Sequence, residues 1–207
     1  QRSLVSFYEE IRDFRRSHLL KAKEIITTSD YLRRQVEKFA QEAPLRVVGN
    51  PSDDPDHVEA AGHGIEQASP PEILIVGMLN KNKGQAQVVD WIKKLRPRLP
   101  DFRFVLAGRG RLGDALRKQA EKEGVSDYLH TPGFLDCGAI YRAYRRASIV
   151  LAPNRWPEPF GRAPPEAGQA SRPIVAYGVG GVCESVVDGV TGLIARQQVG
   201  EGLLVAA

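Results

Sequence analysis

The chain has 207 residues, 42% hydrophobic and 26% charged, with a formal net charge of +4. That is an ordinary globular composition, long enough for one full domain and part of a second. No apolar run approaches the roughly 20 residues of a membrane span. Lys and Arg are scattered and nowhere interleave with aromatic residues as an RNA-binding strand requires, so no nucleic-acid partner is expected. The start, Gln1-Arg-Ser-Leu4, has neither an initiator Met nor the apolar core of a signal peptide, and reads as part of a longer chain. Cys137 and Cys183 lie far apart without metal-type spacing, and two isolated thiols suit a reducing cytoplasm.

In chain order, Leu4 to Leu20 reads as an amphipathic helix, with Leu4, Phe7, Ile11 and Phe14 near helical spacing. Arg12, Arg15, Arg16, Lys21 and Lys23 cluster along it, which leaves room for a peripheral membrane contact. Glu24 to Thr28 is a short strand, and Ser29 or Asp30 caps a helix running through Phe39. Arg46 to Val48 is another short strand. From Asn50 to Pro71 the chain is polar and rich in Gly and Pro, as in a hinge or linker.

After Pro71, strands and helices alternate. Strands are expected at Ile73 to Val76, Phe104 to Ala107, Tyr128 to His130, Ile149 to Ala152, Ile174 to Ala176 and Leu193 to Ala195. Helices are expected at Gln85 to Leu95, Leu112 to Glu123, Ala139 to Arg146, Ala163 to Ala170 and Glu184 to Val187, with a last one near Gln198. This alternation implies α/β architecture: a doubly wound, Rossmann-like parallel sheet. Ligands of such folds sit beyond the carboxyl ends of the strands, so the loops there are the candidate site.

The loop after Ala152 runs through Glu158-Pro-Phe-Gly-Arg-Ala-Pro-Pro-Glu166. Its prolines stiffen it, Gly161 allows close backbone approach, and a helix start presents N–H groups to a phosphate. Glu158 and Glu166 could accept hydrogen bonds from sugar hydroxyls, or be plain surface charges. The loop after Ala176 holds Gly178, Gly180 and Gly181, which could form an anion nest or only a tight turn. Lys81 and Lys83 follow Val76 and could neutralise a pyrophosphate. Gly108-Arg-Gly-Arg-Leu-Gly113 matches the dinucleotide fingerprint, which keeps an NAD-linked oxidoreductase open as a remote alternative. The match falls on the second strand, however, and Arg109 and Arg111 would crowd a dinucleotide. His130 ends a strand, where it could contact a ligand or sit as a core-edge histidine bonded to backbone. No nucleophile elbow and no metal-type cluster is present in the sequence.

Taken together these loops resemble the retaining glycosyltransferases of family 4, which have the GT-B fold. Glu158 to Glu166 looks like that family's Glu-(seven residues)-Glu motif. Pro173 to Glu184 and Asp188 to Gly192 continue the pattern. Val76-Gly77 to Lys83-Gly84 resembles its phosphate loop, and Ala107-Gly108 and Gly133-Phe134 fall at its intervals. The likeness covers about residues 72 to 196. It extends weakly back to Ile25 to Ser29 and Val47 to Pro51, which look like closing segments of the N-terminal domain.

The resemblance implies a donor site for a nucleotide-diphosphate sugar, used without a cofactor or a metal. Glu166 would hold the ribose. Glu158, with Phe160, Gly161 and the neighbouring Arg162, would hold the donor sugar. Lys83, helped by Lys81, would sit on the diphosphate, and Glu158 and Lys83 would be the catalytic pair. Gly108, Gly133 and Phe134 would flank the base, and Gly180 and Gly181 would line the donor. Residues 1–50 would be closing segments of the acceptor-side domain, 51–71 the hinge, and 72–207 the donor-binding domain. The acceptor half would come from a missing N-terminal domain or a second copy of the chain. Met78 departs from the family, which commonly has Arg there. A non-catalytic nucleotide-binding or scaffolding module is the competing expectation.

Overall fold

The computed structural model describes residues 4–38, 40–50, 66 and 68–195. The expected hinge falls mostly outside the described residues, and the helix near Gln198 wholly so. The chain divides into two compact units, Gln1–Pro51 and Ser52–Ala207.

In the first unit, helix α1 (Leu4–Leu19) precedes strand β1 (Ile25–Thr27), helix α2 (Asp30–Glu37) and strand β2 (Leu45–Val47). The Ser29 hydroxyl accepts the Leu32 N–H at 3.0 Å and caps α2, as its position before Asp30 predicts. The helix ends at Glu37, short of Phe39. The two strands pair in parallel, Ile25 opposite Leu45 and Thr27 opposite Val47. Along α1 the basic side chains from Arg12 to Arg16 are exposed. None of the described helices is long and apolar enough to cross a membrane.

The second unit carries the site. Its elements are β3 (Glu72–Val76), α3 (Val88–Leu95), β4 (Arg103–Ala107), α4 (Arg111–Lys122), β5 (Leu129–Gly133), α5 (Cys137–Arg146), β6 (Ala147–Ala152), α6 (Ala163–Gln169), β7 (Ile174–Tyr177) and β8 (Gly192–Ala195). Six strands form one sheet in the order β5-β4-β3-β6-β7-β8, every pair parallel. The apolar runs of β3 and β4 are continuous because both sheet faces are covered. Ile73 and Ile75 point to one side, where Val88, Trp91 and Ile92 of α3 and Leu116 and Ala120 of α4 complete a core. Leu74 points to the other, against Tyr144 of α5 and Ala167 of α6. Burying each large apolar side chain of this core contributes about 1.5–3 kcal/mol.

The expected helix at Glu184 to Val187 is a finding of another kind: the helical turn lies at Gly180–Glu184 and is a 3-10 turn. It begins at Gly180, with φ of 63°, and ends where Ser185 N–H bonds the Val182 carbonyl. Similarly, the expected helix from Gln85 opens as a 3-10 turn, Gln85–Gln87, and becomes α-helical only at Val88.

Crossovers leave β3 and β6 in opposite directions, so these two central neighbours form the topological switch point. A crevice opens there beyond the strand ends, where ligands of doubly wound sheets bind.

Candidate functional site

A cleft of about 310 Å³ occupies that crevice. Val76 and Gly77 end β3 on one side, and Ala152 and Asn154 end β6 on the other. Among the described residues, Lys83, Glu158, Arg162 and Glu166 supply the charged groups of its lining.

Lys83 is delivered by a short turn. The Asn80 side chain accepts the N–H groups of Asn82 and Lys83 at 3.0 and 3.2 Å, which starts the 3-10 turn Lys81–Lys83. The Asn82 carbonyl then accepts the N–H groups of Arg155 and Trp156, tying the loop after β3 to the loop after β6. Across this tie Lys83 Nζ donates to Glu158 Oε1. The two side chains are 29% and 16% exposed. Burial pushes the Lys83 pKa down from its ordinary value. Lys81 stays exposed and does not line the cleft, and Met78 is 64% exposed.

Glu166 sits inside α6 with its side chain only 10% exposed. Two groups hold it. The Tyr144 hydroxyl donates to Oε2 at 2.7 Å, and Arg162 reaches Oε1 at 3.0 Å. Tyr144 is fully buried on α5, and burial first, then the Glu166 charge, holds its pKa well above the ordinary tyrosine range. The hydroxyl therefore remains a donor. Nothing in the sequence singles out Tyr144 for this contact: at helical spacing from Tyr141 it reads as core, and its partner lies 22 residues on.

Gly180 and Gly181 lie directly beneath the Glu158 segment. A Cβ on Gly181 would overlap the Pro159 carbonyl oxygen. The Gly181 N–H donates to the Glu158 carbonyl at 2.8 Å. These glycines thus shape the loop that carries Glu158; the cleft itself is walled by Gly161 and Val182. Phe160, partly buried, precedes Gly161 in the same loop.

The helix start contributes less than its sequence promises. Pro164 and Pro165 occupy the first turn of α6. Two of the four N–H groups that a helix start presents are therefore absent. Most of the positive charge in the cleft therefore comes from side chains.

A second hollow of about 180 Å³ lies beyond β4 and β5, lined by Gly108, Arg109, Arg117, Thr131 and Gly133 among others. The Arg109 guanidinium stands 4.9 Å over the Phe134 ring, and Phe134 is 64% exposed. Gly108 is explained by packing: a Cβ there would overlap the Gly77 carbonyl oxygen, while Gly77 N–H bonds the Ala107 carbonyl at 2.9 Å. The fingerprint-like glycine spacing thus lets the loops after β3 and β4 touch. His130 is exposed on β5 and lines neither hollow.

Residues 59–202 match the family model described as Glycosyl transferases group 1. The glycogen synthase of Mycobacterium tuberculosis is 33% identical over 127 residues, 61% of this chain and 30% of that protein. The 2-deoxystreptamine glucosyltransferase of Streptomyces kanamyceticus is 30% identical over 142 residues, 64% of this chain and 36% of that protein. The chain therefore spans about a third of the length of these relatives. Among solved structures, Anabaena Alr3699/HepE in complex with UDP and glucose superposes with a TM-score of 0.70 at 21% identity, covering 98% of this chain and 57% of that one. With the family match running over more than half of its length, and a parallel sheet wound as in GT-B enzymes, the chain belongs to the group 1 glycosyl transferases.

Proposed function

We propose that this chain is the donor-binding part of a retaining glycosyltransferase that takes its sugar from a nucleotide-diphosphate sugar. The carrying observation is convergence. Lys83 from the loop after β3, Glu158 from the loop after β6 and Glu166 from α6 meet in one cleft at the switch point of the sheet. In this reading the Glu166 carboxylate accepts from the ribose diol. Glu158, with Phe160 and Gly161, holds the donor sugar. The hollow beside Gly108, Gly133 and Phe134 takes the base. Gly180 and Gly181 keep the Glu158 loop in place.

The resemblance to family 4 supports the following transfer step. The bond from the sugar's anomeric carbon to the diphosphate oxygen breaks, and the acceptor oxygen bonds that carbon on the same face. The acceptor proton passes to the departing diphosphate. Lys83 stabilises the charge that develops there, a task that side-chain cations perform here in place of a metal. Removing one such charge-assisted contact costs about 1.5–3 kcal/mol. The acceptor would be held by residues of a longer protein or by a second chain. Two free cysteines, Cys137 and Cys183, support a cytoplasmic setting. The exposed basic face of α1 supports a peripheral contact with an anionic membrane.

Met78 favours a second reading, a nucleotide-binding module without transfer. A thermal-shift panel of UDP-, GDP- and ADP-sugars tests binding. Transfer or donor hydrolysis by the full-length protein then separates enzyme from module. Stabilisation by NADH and by no nucleotide sugar would overturn the donor-site reading.

A further inference from the structure

The charged side chains of the cleft neutralise one another. Its four charged groups form two pairs, Lys83 with Glu158 and Arg162 with Glu166. A diphosphate brings at least two negative charges into a site whose formal charge is zero. The first turn of α6 offsets them only in part, because Pro164 and Pro165 carry no N–H. The cations must therefore turn from the carboxylates to the phosphates. The carboxylates are not left bare, since the hydroxyls of a sugar and a ribose are donors that replace the lost cations.

The two members of the second pair are not equally free to move. Glu166 is 10% exposed and anchored at Oε2 by the buried Tyr144 hydroxyl. Arg162 is 57% exposed and stands at the lip of the cleft on a long, flexible side chain. We infer that Arg162, paired with Glu166 across the cleft, is a diphosphate-binding residue, and that Tyr144 is the positioning residue that keeps Glu166 in place while Arg162 leaves. This rests on the donor-site reading above. It adds a competition: Arg162 occupies the Glu166 oxygen that the ribose needs, and the diphosphate removes it. Nucleoside and diphosphate then bind cooperatively when they arrive as one molecule.

Titration calorimetry on the 207-residue chain tests it with UDP, GDP and ADP, and with the nucleoside matching whichever diphosphate binds. Arg162→Gln should weaken the diphosphate about tenfold or more, while the nucleoside binds as well as before or better. Arg162→Lys should recover most of the diphosphate affinity. Tyr144→Phe, checked for cooperative melting, should weaken nucleoside and diphosphate alike, because it loosens the shared carboxylate. Parallel changes in both ligands for Arg162→Gln, or an unchanged diphosphate affinity, overturn the inference. Unchanged affinities in Tyr144→Phe overturn the positioning role. A wild-type chain that binds none of the three diphosphates overturns the donor-site reading itself, which is a separate result.

Discussion

Lys83 and Glu158, 75 residues apart in sequence, are joined by an ion pair that bridges the two central strand ends of the sheet. Each is less than a third exposed, so removing one partner leaves the other's charge poorly solvated. Lys83→Met should destabilise the fold by about 1–3 kcal/mol and weaken nucleoside-diphosphate binding by about tenfold or more. Adding Glu158→Gln should restore much of the stability and none of the binding. Chemical denaturation and calorimetry on the three variants check this; additive stability losses would show that the pair is not coupled.

Burial lowers the Lys83 pKa beneath the ordinary lysine value of 10.5. A diphosphate prefers the protonated form, so affinity falls as pH rises through that lowered value. The fall begins below 10.5. In Lys83→Arg the guanidinium stays charged throughout, and the alkaline fall should disappear. Calorimetry from neutral pH upward reads the difference, and identical profiles for the two proteins would count against Lys83 as the titrating group.

Much of this fold is legible in the sequence for one physical reason. The strands of a doubly covered sheet must be apolar on both faces, and the runs at Ile73 to Val76 and Phe104 to Ala107 carry that mark; the structure extends each by one residue. The carboxylates and Lys83 are equally visible, because their loops follow those strands. What the chain order hides is pairing. Tyr144 reads as a core aromatic until the fold brings its hydroxyl to Glu166. The glycines after β7 suggest an anion nest, yet the Gly181 N–H is taken by a carbonyl from a neighbouring loop. Such contacts depend on which loops lie side by side, and local periodicity does not encode that.

The tight stacking of those loops makes Gly181 sensitive in a way that Gly168 is not. A Cβ at Gly181 meets the Pro159 backbone, whereas at Gly168, within α6, it meets nothing. Gly181→Ala should shift the Glu158 loop, cost about 1–3 kcal/mol of stability and reduce donor binding. Gly168→Ala lies two residues from Glu166 and should leave binding intact, with stability unchanged or raised by up to about 1 kcal/mol. Equal effects of the two substitutions, in denaturation and in binding, would refute the packing account.

Phe134 presents an exposed ring with Arg109 above it, beside the smaller hollow. If a base stacks there, its loss resembles other base–aromatic contacts, worth about 1–3 kcal/mol each. Phe134→Ala should weaken nucleoside binding by about fivefold or more, with the melting temperature almost unchanged because the ring is mostly in solvent. Undiminished nucleoside affinity would move the base elsewhere.

Met78 offers a gain-of-function test. It lies one residue beyond Gly77, which lines the cleft, and its side chain is 64% exposed, so a longer cation can be accommodated without repacking. The resemblance places an Arg at this position, and neither of the two cations in the cleft stands in for it without leaving a carboxylate. Met78→Arg adds a positive group that no carboxylate in the lining has claimed. Nucleoside-diphosphate affinity should rise, by up to about tenfold, while nucleoside affinity stays level because the ribose and base contacts are untouched. The gain should shrink as salt is added, since the new cation is solvent-exposed and its field is screened within about 10 Å at 0.1 M. A rise that ignores salt would mean that the substitution acts through loop packing. No rise at all would mean that the diphosphate lies away from Met78, nearer to Arg162.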